Sequence, residues 1–303
     1  MATIFIDGEA GTTGLQIREK LEGSSGIALA SLAPEARKDP AAKQKIYGEA
    51  DVVILCLPDE AAKEAAKLVD DMGEKAPRVI DASSAHRVAP GWTYGFPELV
   101  AGQGDAVAKA KKVTNPGCHA TGAIALLRPL TDAGVLPKAT PVSITSVSGY
   151  SGGGKAMIEA YETGKAPAFE LYALALEHKH IPEIQLYSGL TTRPVFVPSV
   201  GNFRQGMLVS VPLFLDALPG KPTLADLQAV YDEHYRGQKH FRVFETTENA
   251  RLEPEALNGG NDIEVHVFGN EARRQAVLVA RFDNLGKGAS GAAVQNLMLM
   301  LKR

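Results

Sequence analysis

The chain has 303 residues, 45% of them hydrophobic and 22% charged, with a formal net charge of -3. That length and apolar content suffice for two buried cores, and the charge balance excludes the basic surplus that binding a phosphate backbone requires, so nucleic acid is not an expected partner. No stretch reaches the run of about 18 apolar residues that a membrane span needs, and Met1 to Gly11 lacks the basic and apolar regions of a signal peptide, so a soluble cytoplasmic protein is expected.

From the N-terminus, strands and helices alternate. Strands are expected at Ala2 to Asp7, Ile27 to Ser31, Val52 to Leu57, Arg78 to Ala82 and Lys112 to Thr114, with helices at Thr12 to Leu21 and Glu60 to Met72. Such alternation predicts an α/β fold whose N-terminal part is a doubly wound, Rossmann-like parallel sheet. The first strand runs into Gly8-Glu-Ala-Gly11-Thr12-Thr13-Gly14 and then directly into a helix. Glycines at such a turn let the backbone approach a pyrophosphate, which the free amides and positive end of the helix attract. The second strand ends at Ser31 without the acidic residue that usually holds the ribose of NAD; Ser31, Arg37 and Lys38 suit the 2'-phosphate of NADP, although Glu35 is nearby. Cys56, one of two cysteines, sits in an apolar run and reads as buried filler, and two cysteines do not indicate a disulfide framework.

Asn115-Pro-Gly-Cys118 demands a tight turn after a strand, and a helix from His119 to Leu130 follows at once. Cys118 therefore falls at a helix start, where dipole and free amides favour the thiolate, the form that attacks carbonyl carbon. From about Val142 the strands become closer and alternate in polarity, as in Asp262 to Phe268, where Ile263, Val265 and Val267 share one face and Glu264 and His266 point to the other. That alternation predicts an α+β second part with a mixed or antiparallel sheet wet on one face. A helix opens at Thr223 with Asp226 placed for a capping box, and a last helix, Ala289 to Leu301, is expected to return to the first domain. The expected domains are 1–115 with 285–303 for the dinucleotide and 116–284 for catalysis and oligomerisation.

Several stretches then carry a resemblance: Gly8 to Gly14, Asp81-Ala-Ser-Ser-Ala-His-Arg87, Tyr94-Gly-Phe-Pro-Glu98, Asn115 to Gly122, Ser148-Gly-Tyr-Ser-Gly-Gly-Gly-Lys155, His178-Lys-His-Ile-Pro-Glu-Ile184 and Asp283 to Ala289. Over nearly its whole length the chain resembles the N-acetyl-gamma-glutamyl-phosphate reductases, in their shorter subgroup, with aspartate-semialdehyde dehydrogenases as more distant relatives. It departs from the longer members in having His119-Ala120 after the cysteine. The resemblance implies Cys118 as nucleophile and His180, in a His-x-x-Glu setting completed by Glu183, as acid and base, a role that suits an imidazole near neutrality. It implies NADP(H) held by Gly8, Gly11, Thr12, Thr13, Gly14, Ser31, Arg37, Ser151, Gly152 and Asn284, and an acyl phosphate held by Arg87, Asn115, Lys155 and Arg204. Inorganic phosphate is the second product and a homodimer or homotetramer the implied assembly. His178 and His180 on one strand could share a metal, but no further spacing supports a metal site.

Three alternatives stay open on sequence alone: the same chemistry on aspartyl phosphate, an aldehyde dehydrogenase that needs no phosphate, and a cofactor sensor without catalysis. An intact Cys118 and His180 speak against the last.

Overall fold

The computed structural model describes residues 1–244 and 251–302. By backbone contacts these divide into two units: residues 1–97, 101–116 and 289–302 form the first, and residues 98–100, 117–244 and 251–288 the second.

The first unit carries a six-stranded parallel sheet of β1 (Ala2–Asp7), β2 (Ile27–Ala30), β3 (Val52–Leu55), β4 (Arg78–Asp81), β5 (Thr93–Tyr94) and β6 (Lys112–Thr114), in the order β2-β1-β3-β4-β6-β5. Because side chains alternate across a strand, neighbouring apolar residues feed opposite cores. Ile4, Ile6, Val52, Ile54 and Ile80 pack on one face with Ile17 and Leu21 of α1 (Thr12–Leu21) and Leu297 of the last helix (Gly291–Leu301). Phe5, Val53, Leu55 and Val79 pack on the other with Ile46 and Tyr47 of α2 (Pro40–Glu49) and Ala65 and Val69 of α3 (Asp59–Asp71). The doubly wound expectation holds, with element ends moved by one or two residues. Sequence reading missed α2, whose start was nonetheless signalled: the Asp39 side chain accepts the amide of Ala41, and Pro40 opens the helix. It also missed α4 (Gln103–Lys109). The last helix starts later than expected, because Gly286 to Ser290 winds as a π-helical turn before it.

The second unit is built on a mixed seven-stranded sheet: β7 (Ser143–Gly149), β8 (Phe169–Leu171), β9 (Val195–Gly201), β10 (Met207–Phe214), β11 (Phe241–Phe244), β12 (Ile263–Asn270) and β13 (Gln275–Phe282), ordered β11-β12-β13-β10-β7-β9-β8. Its helices are α5 (Cys118–Asp132), α6 (Gly154–Glu162), α7 (Ile181–Tyr187) and α8 (Leu224–His234). The Tyr231 and Tyr235 hydroxyls donate to the carbonyls of Leu126 and Ala125 at 2.6 and 2.7 Å, tying the end of α8 to α5. Thr223 and Asp226 form the expected capping box.

One expectation fails. The Glu264 and His266 side of β12 is buried, not wet. Arg281 stands directly across the ladder from Glu264 and donates Nε to its carboxylate at 2.8 Å, while Phe244 and Phe268 stack on the His266 ring. Arg281 and Phe244 on the flanking strands, with Phe268 two residues along β12, have closed a polar face that alternation alone marks as solvated.

Candidate active site

The glycine turn is shaped by close approach. Gly8 has φ +93°, and a Cβ there would lie 2.2 Å from the Cys56 carbonyl oxygen; one on Gly14 would lie 2.4 Å from the Gly8 carbonyl oxygen. Only glycine fits either position. The helix that follows, with Thr12 and Thr13 as its first residues, has Gly11 as N-cap and no side-chain cap, so its opening amides are not spent on a side chain. This is the arrangement that a dinucleotide pyrophosphate requires. Beside it, Asp7 accepts from Tyr47 Oη at 2.7 Å and Lys43 Nζ at 2.8 Å, which fixes the end of β1. Ser31 and Arg37 do come together, through a residue that sequence reading overlooked: both bond to Glu9 of the turn. Cys56, expected as buried filler, is only partly buried against the first core, and desolvation, with the Asp81 and Asp7 carboxylates adding to it, pushes its thiol up to about 12.

The loop after β4 is organised by Asp81, whose carboxylate accepts from the Ser83 amide and hydroxyl at 2.8 Å each and meets His86 Nδ1 at 2.5 Å. His86 stacks on Trp92, and Arg87 follows, buried. Asn115 is committed within the first unit. Its Nδ2 donates to the Ala289 carbonyl at 2.9 Å, and its Oδ1 accepts from Asn296 Nδ2 at 3.1 Å, so the side chain that was expected to hold substrate ties the return of the last helix.

In the second unit, Cys118 is the first residue of α5, after the N-cap Gly117, which offers no side chain to the helix amides. The Gly117 amide donates to Glu183 Oε2 at 3.1 Å, and the other carboxylate oxygen of Glu183 lies 4.0 Å from His180 Nε2. Both acidic and imidazole side chains are buried. The structure therefore gathers the three residues of the expected catalytic set around one helix start. His180 is not on a strand: it is the N-cap of α7, and the i,i+3 spacing sets Glu183 in the first turn beside it. Among the described residues no group of three or more His, Cys, Asp or Glu is placed to hold a metal ion.

A polar chain unmarked by any sequence spacing flanks this centre. His119 Nδ1 bonds to Ser146 Oγ at 2.7 Å and its Nε2 to Tyr172 Oη at 2.8 Å, and its ring lies 5.6 Å from those of His178 and His180 and 5.4 Å from that of Phe196. Burial, and then the neighbouring His178, push the His119 imidazole down to about 3. Burial, and then the charge of Cys118, raise the Tyr172 hydroxyl above its usual range. His119 has a consequence for stability. A base whose folded value lies below its unfolded value of about 6.5 binds fewer protons folded than unfolded between the two, so the fold weakens as pH falls through that window, by up to about 1.4 kcal/mol per pH unit. His119→Gln removes that titration. Urea unfolding of the wild type and this variant between neutral pH and pH of about 4 should show a shallower acid loss in the variant; parallel curves would mean that His119 is not held neutral.

Three further expected residues meet at the end of β7. Asn284 Oδ1 accepts the Gly206 amide at 2.8 Å and its Nδ2 donates to Ser151 Oγ at 3.1 Å, while a Cβ on Gly152 would lie 3.3 Å from that Nδ2. Lys155 is exposed, one residue into α6. Arg204 is also exposed and ion-paired with Glu162.

Comparison with known proteins agrees with this geometry. Residues 8–107 match the family model "Semialdehyde dehydrogenase, NAD binding domain", and residues 118–284 match "Semialdehyde dehydrogenase, dimerisation domain". The chain is 51% identical to N-acetyl-gamma-glutamyl-phosphate reductase 2 of Pseudomonas putida, over 98% of this chain and 96% of that protein. It is 52% identical to the N-acetyl-gamma-glutamyl-phosphate reductase of Burkholderia lata, over 99% and 96%, and 52% identical to that of a Chelativorans species, over 99% and 98%. Among solved structures, aspartate semialdehyde dehydrogenase II of Vibrio cholerae superposes with a TM-score of 0.73 at 16% identity, covering 99% of this chain and 98% of that one. Aspartate semialdehyde dehydrogenase of Francisella tularensis gives 0.74 at 14%, covering 98% and 100%, likenesses that establish the shared fold. The chain belongs to the semialdehyde dehydrogenase family and, within it, to the N-acetyl-gamma-glutamyl-phosphate reductases.

Proposed function

We propose that this chain reduces N-acetyl-gamma-glutamyl phosphate to N-acetylglutamate 5-semialdehyde with release of inorganic phosphate, through a thioester on Cys118, as a step in arginine biosynthesis. The observation that carries this reading is the convergence of Cys118, Glu183 and His180 at the uncapped start of α5.

The helix start favours the Cys118 thiolate, and His180 is the base that takes its proton. Glu183 does two things at once: one oxygen holds the Gly117 amide, which fixes the backbone just before the nucleophile, and the other faces His180 Nε2 at 4.0 Å and orients that ring. The thiolate attacks the acyl carbon, amides of the first turn of α5 stabilise the oxyanion, and phosphate departs. Bound NADPH supplies the reducing equivalent that turns the acyl group into aldehyde. His180 then returns its proton as the product leaves.

The glycine turn Gly8 to Gly14 is the proposed pyrophosphate site, with Ser31 and Arg37 toward the adenosine 2'-phosphate and Ser151, Gly152 and Asn284 toward the nicotinamide. Arg87 and Lys155 are the proposed cations for the substrate phosphate and carboxylate. A thiol nucleophile requires reducing surroundings, which supports the cytoplasm as its place of work. A homodimer or homotetramer would cover the second sheet where Thr145, Pro212, Phe214 and Val277 are exposed.

The test runs the reaction backwards. The protein with NADP and inorganic phosphate should reduce the cofactor on addition of N-acetylglutamate semialdehyde, read from nicotinamide absorbance, and should stall when phosphate is omitted. Equal rates without phosphate, or a preference for aspartate semialdehyde, would overturn the assignment.

A further inference from the structure

The acidic residue missing from the end of β2 arrives from elsewhere. Glu9, inside the glycine turn, reaches the place that follows β2: its Oε2 accepts from Arg18 Nη1 at 2.8 Å and from Ser31 Oγ at 3.0 Å, and its Oε1 accepts from Arg37 Nη2 at 2.8 Å. Arg18 Nη1 also donates to Ser31 Oγ at 2.8 Å, so two guanidinium groups and a hydroxyl converge on one carboxylate. The Glu9 side chain is 12% exposed, whereas those of Arg18 and Arg37 are 32% and 40% exposed, which leaves the cationic side of the nest open to solvent.

Two guanidinium forks and a hydroxyl are what a phosphate with three free oxygens asks for, yet the nest already holds a negative charge. A phosphate monoester brings about -1.5 to -2 at neutral pH. It must therefore share its arginines with Glu9 or displace it. An adenosine ribose without that phosphate meets the opposite situation, since its 2'-hydroxyl can donate to the carboxylate, as it does to the acid at the end of the second strand in NAD enzymes.

We propose that Glu9 is a specificity-determining residue that restrains discrimination between phosphorylated and unphosphorylated dinucleotides: it offsets one of the two positive charges of the Arg18 and Arg37 nest and offers an acceptor to a free ribose hydroxyl. This rests on the dinucleotide reading of the glycine turn given above. Removing the charge while keeping the shape, in Glu9→Gln, leaves Arg37 without its carboxylate partner and Arg18 with only the exposed Glu22 at 3.4 Å, so both guanidinium groups turn more readily to a phosphate, and it weakens the acceptor.

Calorimetric titration of the substrate-free protein with NADP and separately with NAD reads the effect without catalysis. In Glu9→Gln the ratio of the two dissociation constants should move toward NADP by about tenfold, which corresponds to about 1.4 kcal/mol. A variant that merely loosened the turn would weaken both ligands alike and leave the ratio where it was, and an unchanged or reversed ratio overturns the proposal. Arg37→Gln provides the complement: it should move the ratio toward NAD by a similar factor, and a ratio blind to Arg37 would place the nest away from the 2'-position and equally refute the idea. If the wild type prefers NAD but the Glu9→Gln ratio still shifts, the NADPH reading fails while this one stands; if neither dinucleotide binds the wild type, both fail.

Discussion

Cys118→Ser should lower turnover by about three orders of magnitude or more, on the scale seen when a covalent nucleophile is removed. Serine keeps the size and the hydrogen-bonding capacity but not the chemistry. A helix start and a nearby imidazole can hold a thiol as its anion near neutrality, whereas the same fields fall far short of ionising an aliphatic hydroxyl. Binding of the dinucleotide should survive, because the glycine turn belongs to the other unit and its shape depends on Gly8, Gly14 and Cys56. The two readouts are phosphate-dependent reduction of NADP and calorimetric binding of NADP. Iodoacetamide gives an independent check: at neutral pH it should label wild-type Cys118 and spare Cys56, whose thiol desolvation and the Asp81 and Asp7 carboxylates push up to about 12. A serine variant that retained wild-type turnover would remove the thioester from the mechanism.

What sequence could show followed the range over which each signal acts. The doubly wound sheet was legible because its evidence is local: continuous apolar runs such as Val52 to Leu55 are buried on both faces, and the glycine turn sits between a strand and a helix. Cys118 was legible for the same reason, as was Glu183, which the i,i+3 spacing within α7 brings beside His180. The residues that were missed act across long sequence separations. Glu9 meets Arg37 across 28 positions, and His119 meets Tyr172 across 53. Neither pairing leaves a periodic trace. The Glu264 side of β12 was misread in the same way, because alternation reports which side chains share a face and says nothing of an arginine opposite that neutralises and covers it. Asn115 and Arg204 show what residue type leaves unsaid: Asn115 also bonds Ala289 and Asn296, and Arg204 also pairs with exposed Glu162, partners that no sequence spacing marks.

Lys287→Met should cost about 3–5 kcal/mol, because it withdraws the cation from a carboxylate that stays buried. Lys287 and Glu98 have side chains only 1% and 3% exposed, and Nζ lies 2.8 Å from each carboxylate oxygen. Burial lowers the basicity of Lys287 while Glu98 opposes that loss, so each charge is held in place by the other. For a unit of this size the loss corresponds to a fall in Tm of roughly 10 °C, measurable by thermal unfolding. Removing both charges together, in Glu98→Leu with Lys287→Met, should return most of the stability, since no ion then remains to be desolvated. The pair also lies close to the nucleophile. Lys287 lies in the π-helical turn from Gly286 to Ser290, and a Cβ on the next residue, Gly288, would come 2.8 Å from the Cys118 Cβ, so this turn forms the wall behind the nucleophile. The double variant therefore separates two roles. If the ion pair positions that wall, Tm recovers while kcat stays depressed and the pH profile of Cys118 alkylation shifts; if it serves stability alone, kcat recovers together with Tm.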